Sequence, residues 1–156
     1  MGKTLAKSKA TSKREVQRGL VANMQTWQKV ENASVASTGR VIEKTENPIV
    51  RLTMEIIQRD SQMHYRVQEW IAESLTGRAV SLTPDELGEV WKMIEDHINL
   101  EKQTLELAHE ALGSVKGSKG MLVQAYLLEY LLEDEQKHNQ MLARLKNIQR
   151  GMYPYA

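Results

Sequence analysis

The sequence predicts an all-α protein, an antiparallel up-down-up-down four-helix bundle. Apolar side chains recur at a 3-4 spacing over four long stretches, which is the pattern of helices that bury one stripe. Two-residue alternation, the pattern of half-buried β-strands, appears nowhere at useful length. Turn-forming residues interrupt the chain at three points and divide it into four segments.

The three interruptions set the predicted helix limits. Asn47-Pro48 disfavours helical geometry before the proline. Gly77 ends a long periodic run, and Thr83 begins a capping box with proline at the first helical position. The stretch from Gly113 to Gly120 is rich in Gly, Ser and Lys. The predicted helices span 14–46, 48–76, 84–112 and 119–148.

Composition limits the classes of function. The chain has 156 residues, 21 Lys and Arg, 20 Asp and Glu, four His and no Cys. Without cysteine, any metal site must use His, Asp and Glu. A net charge of +1 gives no basic field for nucleic acid, and no apolar run approaches the roughly 18 residues that span a bilayer. We therefore expect no nucleic-acid partner, no membrane partner and a cytoplasmic location.

The two ends are predicted to lie outside the bundle. Residues 1–13 are basic and too poor in apolar residues for a signal peptide, so they are predicted to be a flexible tail or a docking arm for an acidic partner. Residues 14–148 are predicted to form the bundle, which is long enough to bury a core without disulfides. Residues 149–156 are predicted to be a C-terminal tail.

Each predicted helix carries an acidic residue in the middle of its apolar stripe, and three of the helices also carry a histidine there. Short connections make sequential helices antiparallel, so heights in the bundle follow from counting residues from each turn. By this count, seven side chains share a layer about one helical turn thick. They are Glu31, Asp60, His64, His97, Glu101, Glu135 and His138.

Buried charge favours a metal site in this layer. An isolated buried carboxylate costs several kcal/mol, whereas a whole domain is stable by only about 5–15 kcal/mol. No Lys or Arg lies on the four stripes, and two divalent cations would balance four carboxylates. The alternative is a protonated or hydrogen-bonded polar layer without metal. His109 also ends a Glu-x-x-His, but it lies off the stripe and is predicted to be at the surface. Asp134 either orients a ligating histidine or is simply solvated.

These residues resemble the ferritin-like di-iron carboxylate proteins, and Glu135-Gln136-Lys137-His138 matches their Glu-x-x-His motif. The resemblance covers residues 14–148. It implies a ferritin-like fold and two metal ions, expected to be iron, with manganese or zinc as alternatives, that react with O₂ or peroxide in oxidase or ferroxidase chemistry. On this hypothesis, Glu101 and Glu135 bridge the ions and the other five residues are terminal ligands.

The sequence also departs from that family. Asp60 and His64 replace the second Glu-x-x-His, and the 77–83 connection is too short for the long crossover of ferritin. His97 and Glu101 are similar to the His-x-x-x-Glu of hemerythrins, which makes a hemerythrin-like O₂ or metal binder or sensor the second hypothesis. The third is a metal-free helical interaction module. A homo-oligomer is compatible with all three, and the sequence does not set the oligomeric state.

Overall fold

The protein consists of four long helices in a computed structural model that describes residues 12–77 and 84–152. The helices are α1 (Lys13–Lys44), α2 (Pro48–Thr76), α3 (Pro84–Val115) and α4 (Leu122–Met152). Within these ranges there is no β-strand. The prediction of an all-α protein with four helices is therefore confirmed. No described helix has a stretch long and apolar enough to cross a membrane.

The first turn forms where Asn47-Pro48 predicts it. The Asn47 side-chain oxygen accepts hydrogen bonds from the backbone N–H groups of Ile49 and Val50, at 3.0 and 3.2 Å. Pro48 lies at the start of α2, where its missing N–H costs no helical hydrogen bond. The cap and the proline together end α1 and begin α2 within three residues.

The described residues fall into two compact units, one formed by α1 and α2 and the other by α3 and α4. In the first unit, Gln28 donates to the Tyr65 carbonyl and Gln58 to the Val35 carbonyl. Residue numbers therefore rise along α1 as they fall along α2, so these two helices run in opposite directions. The Thr104–Glu135 hydrogen bond and the Glu95–Lys146 ion pair show the same for α3 and α4.

The seam between α1 and α2 is polar. Its buried side chains are spaced seven residues apart on each helix, and most carry polar atoms: Met24, Glu31 and Thr38 on α1, and Ser61 and Gln68 on α2. The stripe predicted on α2 is off by one residue, since Asp60 is exposed and Ser61 is buried. Small polar side chains fit this seam because they bond across it, as Ser61 does to Ser34 at 2.9 Å.

The third turn lies later than predicted. Helix α3 continues through Gly113 to Val115, and the turn occupies residues 116–121. Gly117 and Gly120 have φ values of 80° and 83°, a left-handed conformation that glycine adopts without steric cost. The predicted Thr83 cap, the tail up to residue 11 and residues 153–156 lie outside the described residues.

Candidate metal centre

Three side chains of the second unit converge between α3 and α4. Glu101 lies in the middle of α3, and Glu135 and His138 lie one turn apart on α4. Nδ1 of His138 is 3.4 Å from Oε2 of Glu101 and 3.8 Å from Oε2 of Glu135. One ligand atom from each residue fits within a 4.8 Å group, which is close enough for a single ion to bind all three.

The two carboxylate oxygens of Glu101 have different surroundings. Oε1 lies 2.9 Å from Nε2 of His97, one turn earlier on α3. Oε2 is buried and has no hydrogen-bond partner. Its 3.4 Å separation from His138 Nδ1 is longer than an ordinary N–H···O hydrogen bond. That separation matches neighbouring ligands around an ion with metal–ligand bonds of about 2.1 Å.

Neighbouring side chains hold this group in place. The Thr104 hydroxyl lies within hydrogen-bond distance of two acceptors, 2.8 Å from the backbone carbonyl oxygen of Glu101 and 2.8 Å from Oε2 of Glu135. The Asn139 amide donates to the backbone carbonyls of Glu101 and Glu135, at 3.3 and 3.1 Å. These contacts join α3 to α4 at the level of the carboxylates.

Asp134 lies on the opposite side of the His138 ring. Its Oδ2 is 3.6 Å from Nε2 of His138, and its Oδ1 forms an ion pair with Lys137. At 3.6 Å the two atoms are too far apart for a direct hydrogen bond, so the contact is electrostatic. Metal binding by His138 requires the tautomer with the proton on Nε2, in which Nδ1, facing Glu101 and Glu135, carries the lone pair.

The first unit holds a second carboxylate–histidine pair. Glu31 is buried, and its Oε1 lies 3.4 Å from Nδ1 of His64. The ring of His64 is 58% exposed, so it lies at the edge of the seam and is open to solvent. The Gln68 side chain donates a hydrogen bond of 3.3 Å from Nε2 to the same oxygen of Glu31.

The structure thus groups six of the seven predicted residues by contact, four in the second unit and two in the first. Asp60 is exposed and is not part of either group. The common layer of all seven residues stays a prediction. His109 is exposed.

Sequence reasoning did not assign Gln68 or Thr104 to the site. Gln68 lies four residues after His64 and Thr104 three residues after Glu101, so each is one helical turn from a predicted ligand. That spacing was the available signal.

Comparisons with family models, with curated proteins and with solved structures found no match.

Proposed function

We propose that this protein binds metal at Glu101, Glu135 and His138 and acts as a ferritin-like di-iron protein that reacts with O₂ or peroxide. The observation that carries the metal site is the buried Oε2 of Glu101, which lacks a hydrogen-bond partner and faces His138. A buried carboxylate oxygen without a partner is costly, and a divalent cation between Glu101, Glu135 and His138 would remove that cost.

The donor atoms limit which metal ions the site can bind. Two carboxylates and one imidazole suit iron, manganese or zinc, because hard oxygen donors are combined with a borderline nitrogen donor. Two ions per chain are inferred from the predicted carboxylates and histidines, of which His97 lies beside Glu101 in the second unit and His64 beside Glu31 in the first. The up-down-up-down arrangement is inferred from the short connections between the helices, whereas iron and the oxidase or ferroxidase chemistry rest on the resemblance to di-iron carboxylate proteins.

The residues have distinct roles in this proposal. Glu101 and Glu135 would bind the ions and neutralise their charge, while His138 would supply a neutral nitrogen through Nδ1, with the Asp134 carboxylate near its Nε2. Bound iron would supply the electrons that reduce O₂ or peroxide. The His97 ring is 57% exposed beside Glu101, so this side of the centre is open to small solutes.

A hemerythrin-like O₂ binder is the second candidate. It is favoured by the 2.9 Å contact between His97 and Glu101, which lie four residues apart on α3. Reversible O₂ binding would leave the ions able to release O₂ on evacuation. Net oxidation would instead consume O₂ irreversibly, so oxygen uptake followed by evacuation separates the two candidates.

Two matched histidine variants test the metal site. His138→Ala removes a nitrogen ligand, so we expect lower metal content after reconstitution with Fe²⁺ and loss of the optical bands that follow exposure to O₂. His109→Ala is the control, because His109 also ends a Glu-x-x-His but is exposed on α3. Its metal content and spectrum should match those of the wild type, with stability within about ±0.5 kcal/mol.

Elemental analysis and the optical spectrum of each full-length variant give the result. Equal metal content in the wild type and His138→Ala would contradict the site. Metal loss in His109→Ala alone would show that the wrong Glu-x-x-His was assigned.

A further inference from the structure

Gln68, in the first unit, is buried with half of its amide unpaired. The residue is 3% exposed, so its side chain is almost completely removed from water. Its Nε2 donates to Oε1 of Glu31, whereas its Oε1 has no hydrogen-bond partner. Nearly all buried polar groups in proteins are hydrogen-bonded, so an amide oxygen left unpaired at this depth indicates an absent partner.

The groups around this amide are ligands of the kind that bind transition metals. Glu31 is 6% exposed, and the ion-pair partner described for it is His64. His64 and Gln68 lie one turn apart on α2, and both face the Glu31 carboxylate on α1. A carboxylate, an imidazole nitrogen and the side-chain amide of Gln68 therefore meet within one unit.

We propose that Glu31, His64 and Gln68 form a binding site for one divalent transition-metal ion within the first unit. The contacts to Glu31 Oε1, 3.3 Å from Gln68 and 3.4 Å from His64, match the spacing of neighbouring ligands when metal–ligand bonds are about 2.0–2.2 Å. In the metal-bound form the Gln68 amide is rotated by a half-turn, so that Oε1 takes the place of Nε2, the hydrogen bond to Glu31 is lost and Oε1 faces the ion. This proposal extends the proposed function, on which it rests for the class of ion alone.

In a metal-free alternative, Glu31 would be a hydrogen-bond donor rather than a metal ligand. If Glu31 is protonated, it can donate to the Gln68 oxygen while the Gln68 nitrogen donates back, and no ion is needed. Replacing Glu31 by glutamine leaves that neutral pair nearly unchanged but removes the anionic ligand of a metal site. Glu31→Gln therefore separates the two.

The test uses full-length protein carrying His138→Ala, so that the cluster between α3 and α4 is disabled. Co²⁺ is the probe, and its visible absorption reports both stoichiometry and affinity. We expect the His138→Ala protein to bind one Co²⁺ per chain, and a further Glu31→Gln change to weaken this binding by at least about 10-fold.

Two glutamine substitutions in the same background test the third ligand. Gln68→Glu replaces an amide oxygen by a carboxylate, so Co²⁺ affinity should rise about 10-fold, a change comparable to those seen when groups around a metal are altered. Gln58→Glu is the control, because the Gln58 amide lies at the same helix interface but donates to the Val35 carbonyl. Its affinity should not change. If Gln68→Glu unfolds without metal, Co²⁺ should restore its helical circular dichroism.

The outcomes distinguish this site from the proposed function. If Glu31→Gln leaves Co²⁺ binding unchanged, or Gln68→Glu gains no more than Gln58→Glu, the site in the first unit is wrong while the centre at His138 can still stand. If Gln68→Glu unfolds and Co²⁺ does not restore it, the site is also wrong. If His138→Ala changes nothing and Glu31→Gln removes all bound ion, the site in the first unit stands and the centre at His138 is wrong.

Discussion

At the scale of single residues, Asp134 is an acidic neighbour of His138, the histidine of the proposed metal centre. Its carboxylate lies 3.6 Å from Nε2 of His138, on the side of the ring away from Glu101. Lys137 holds Asp134 through an ion pair. We predict that Asp134 positions His138 for metal binding, with the Lys137 ion pair keeping its carboxylate in place.

We expect Asp134→Asn to weaken metal binding by about 10- to 100-fold, the range found when groups that orient a ligating histidine are changed. The tautomer of His138 should shift at the same time, which ¹⁵N chemical shifts of the imidazole would report. Asp96→Asn is the matched control, because Asp96 pairs with Lys92 at an exposed position on α3. Equal metal affinities in the two variants would argue that Asp134 is only solvated.

The residues of the site were predicted unevenly. Glu101, Glu135 and His138 could be found because their spacing places them on stripes that meet at one height. The sequence predicts burial of Asp60 rather than Ser61, because the predicted stripe of α2 is aligned on His64. The positions of α2 that are buried, Ser61 and Gln68, carry polar side chains, so hydrophobicity does not reveal them. The spacing of Gln68 and Thr104 places each one turn from a predicted ligand, but their contacts with Glu31 and Glu135 also depend on the distance between two helices, which the sequence pattern does not contain.

At the scale of helices, the start of α1 is stabilised by a capping box of Ser12 and Glu15. Ser12 lies in the basic tail predicted for residues 1–13. The Ser12 hydroxyl accepts from the Glu15 N–H at 3.3 Å, and the Ser12 N–H donates to the Glu15 carboxylate at 2.7 Å. The signal was present, since Ser12 and Glu15 have the same spacing as Thr83 and Glu86. The α1–α2 turn was predicted correctly because Asn47 and Pro48 act locally.

This cap predicts a local pH dependence. The backbone N–H of Ser12 and then its hydroxyl lower the pKa of Glu15 below its ordinary value of 4.5. A carboxyl with a lowered pKa stabilises the folded form above its unfolded pKa, and this stabilisation is lost as pH falls through the folded pKa. We expect the first turn of α1 to fray in acid, at a pH below 4.5, as Cα chemical shifts of residues 13–16 would show.

Ser12→Ala provides the control for that titration. It removes the hydroxyl acceptor, which costs about 0.5–2 kcal/mol of local helix stability, so the turn should be frayed already at neutral pH. Identical titration curves for residues 13–16 in the wild type and Ser12→Ala would exclude the cap as the cause.

At the scale of the whole molecule, hydrophobic burial within each unit is small and polar burial is large. Among the side chains that the structure describes, the buried apolar ones are Met24 and Ala108, whereas Glu31, Thr38, Ser61 and Gln68 are buried polar residues. A buried carboxylate without a counter-charge costs free energy, so metal ions that neutralise Glu31 and Glu101 would stabilise the units that hold them.

We therefore expect removal of metal to lower the melting temperature. Ligand present at 100 times its dissociation constant adds about 2.7 kcal/mol for one site, and 1 kcal/mol corresponds to roughly 2–4 °C in a chain of this size. A chelator should thus lower the melting temperature by about 5–10 °C for each ion lost. The effect should shrink as pH falls, because protons compete for the histidine and carboxylate ligands.

Calorimetry of the wild type and of His138→Ala, each with Fe²⁺ under anaerobic conditions and with chelator, measures this change in melting temperature. Equal melting temperatures for the wild type in both conditions would favour a metal-free helical interaction module, in which the polar residues of the seams act only as hydrogen-bonding partners between helices.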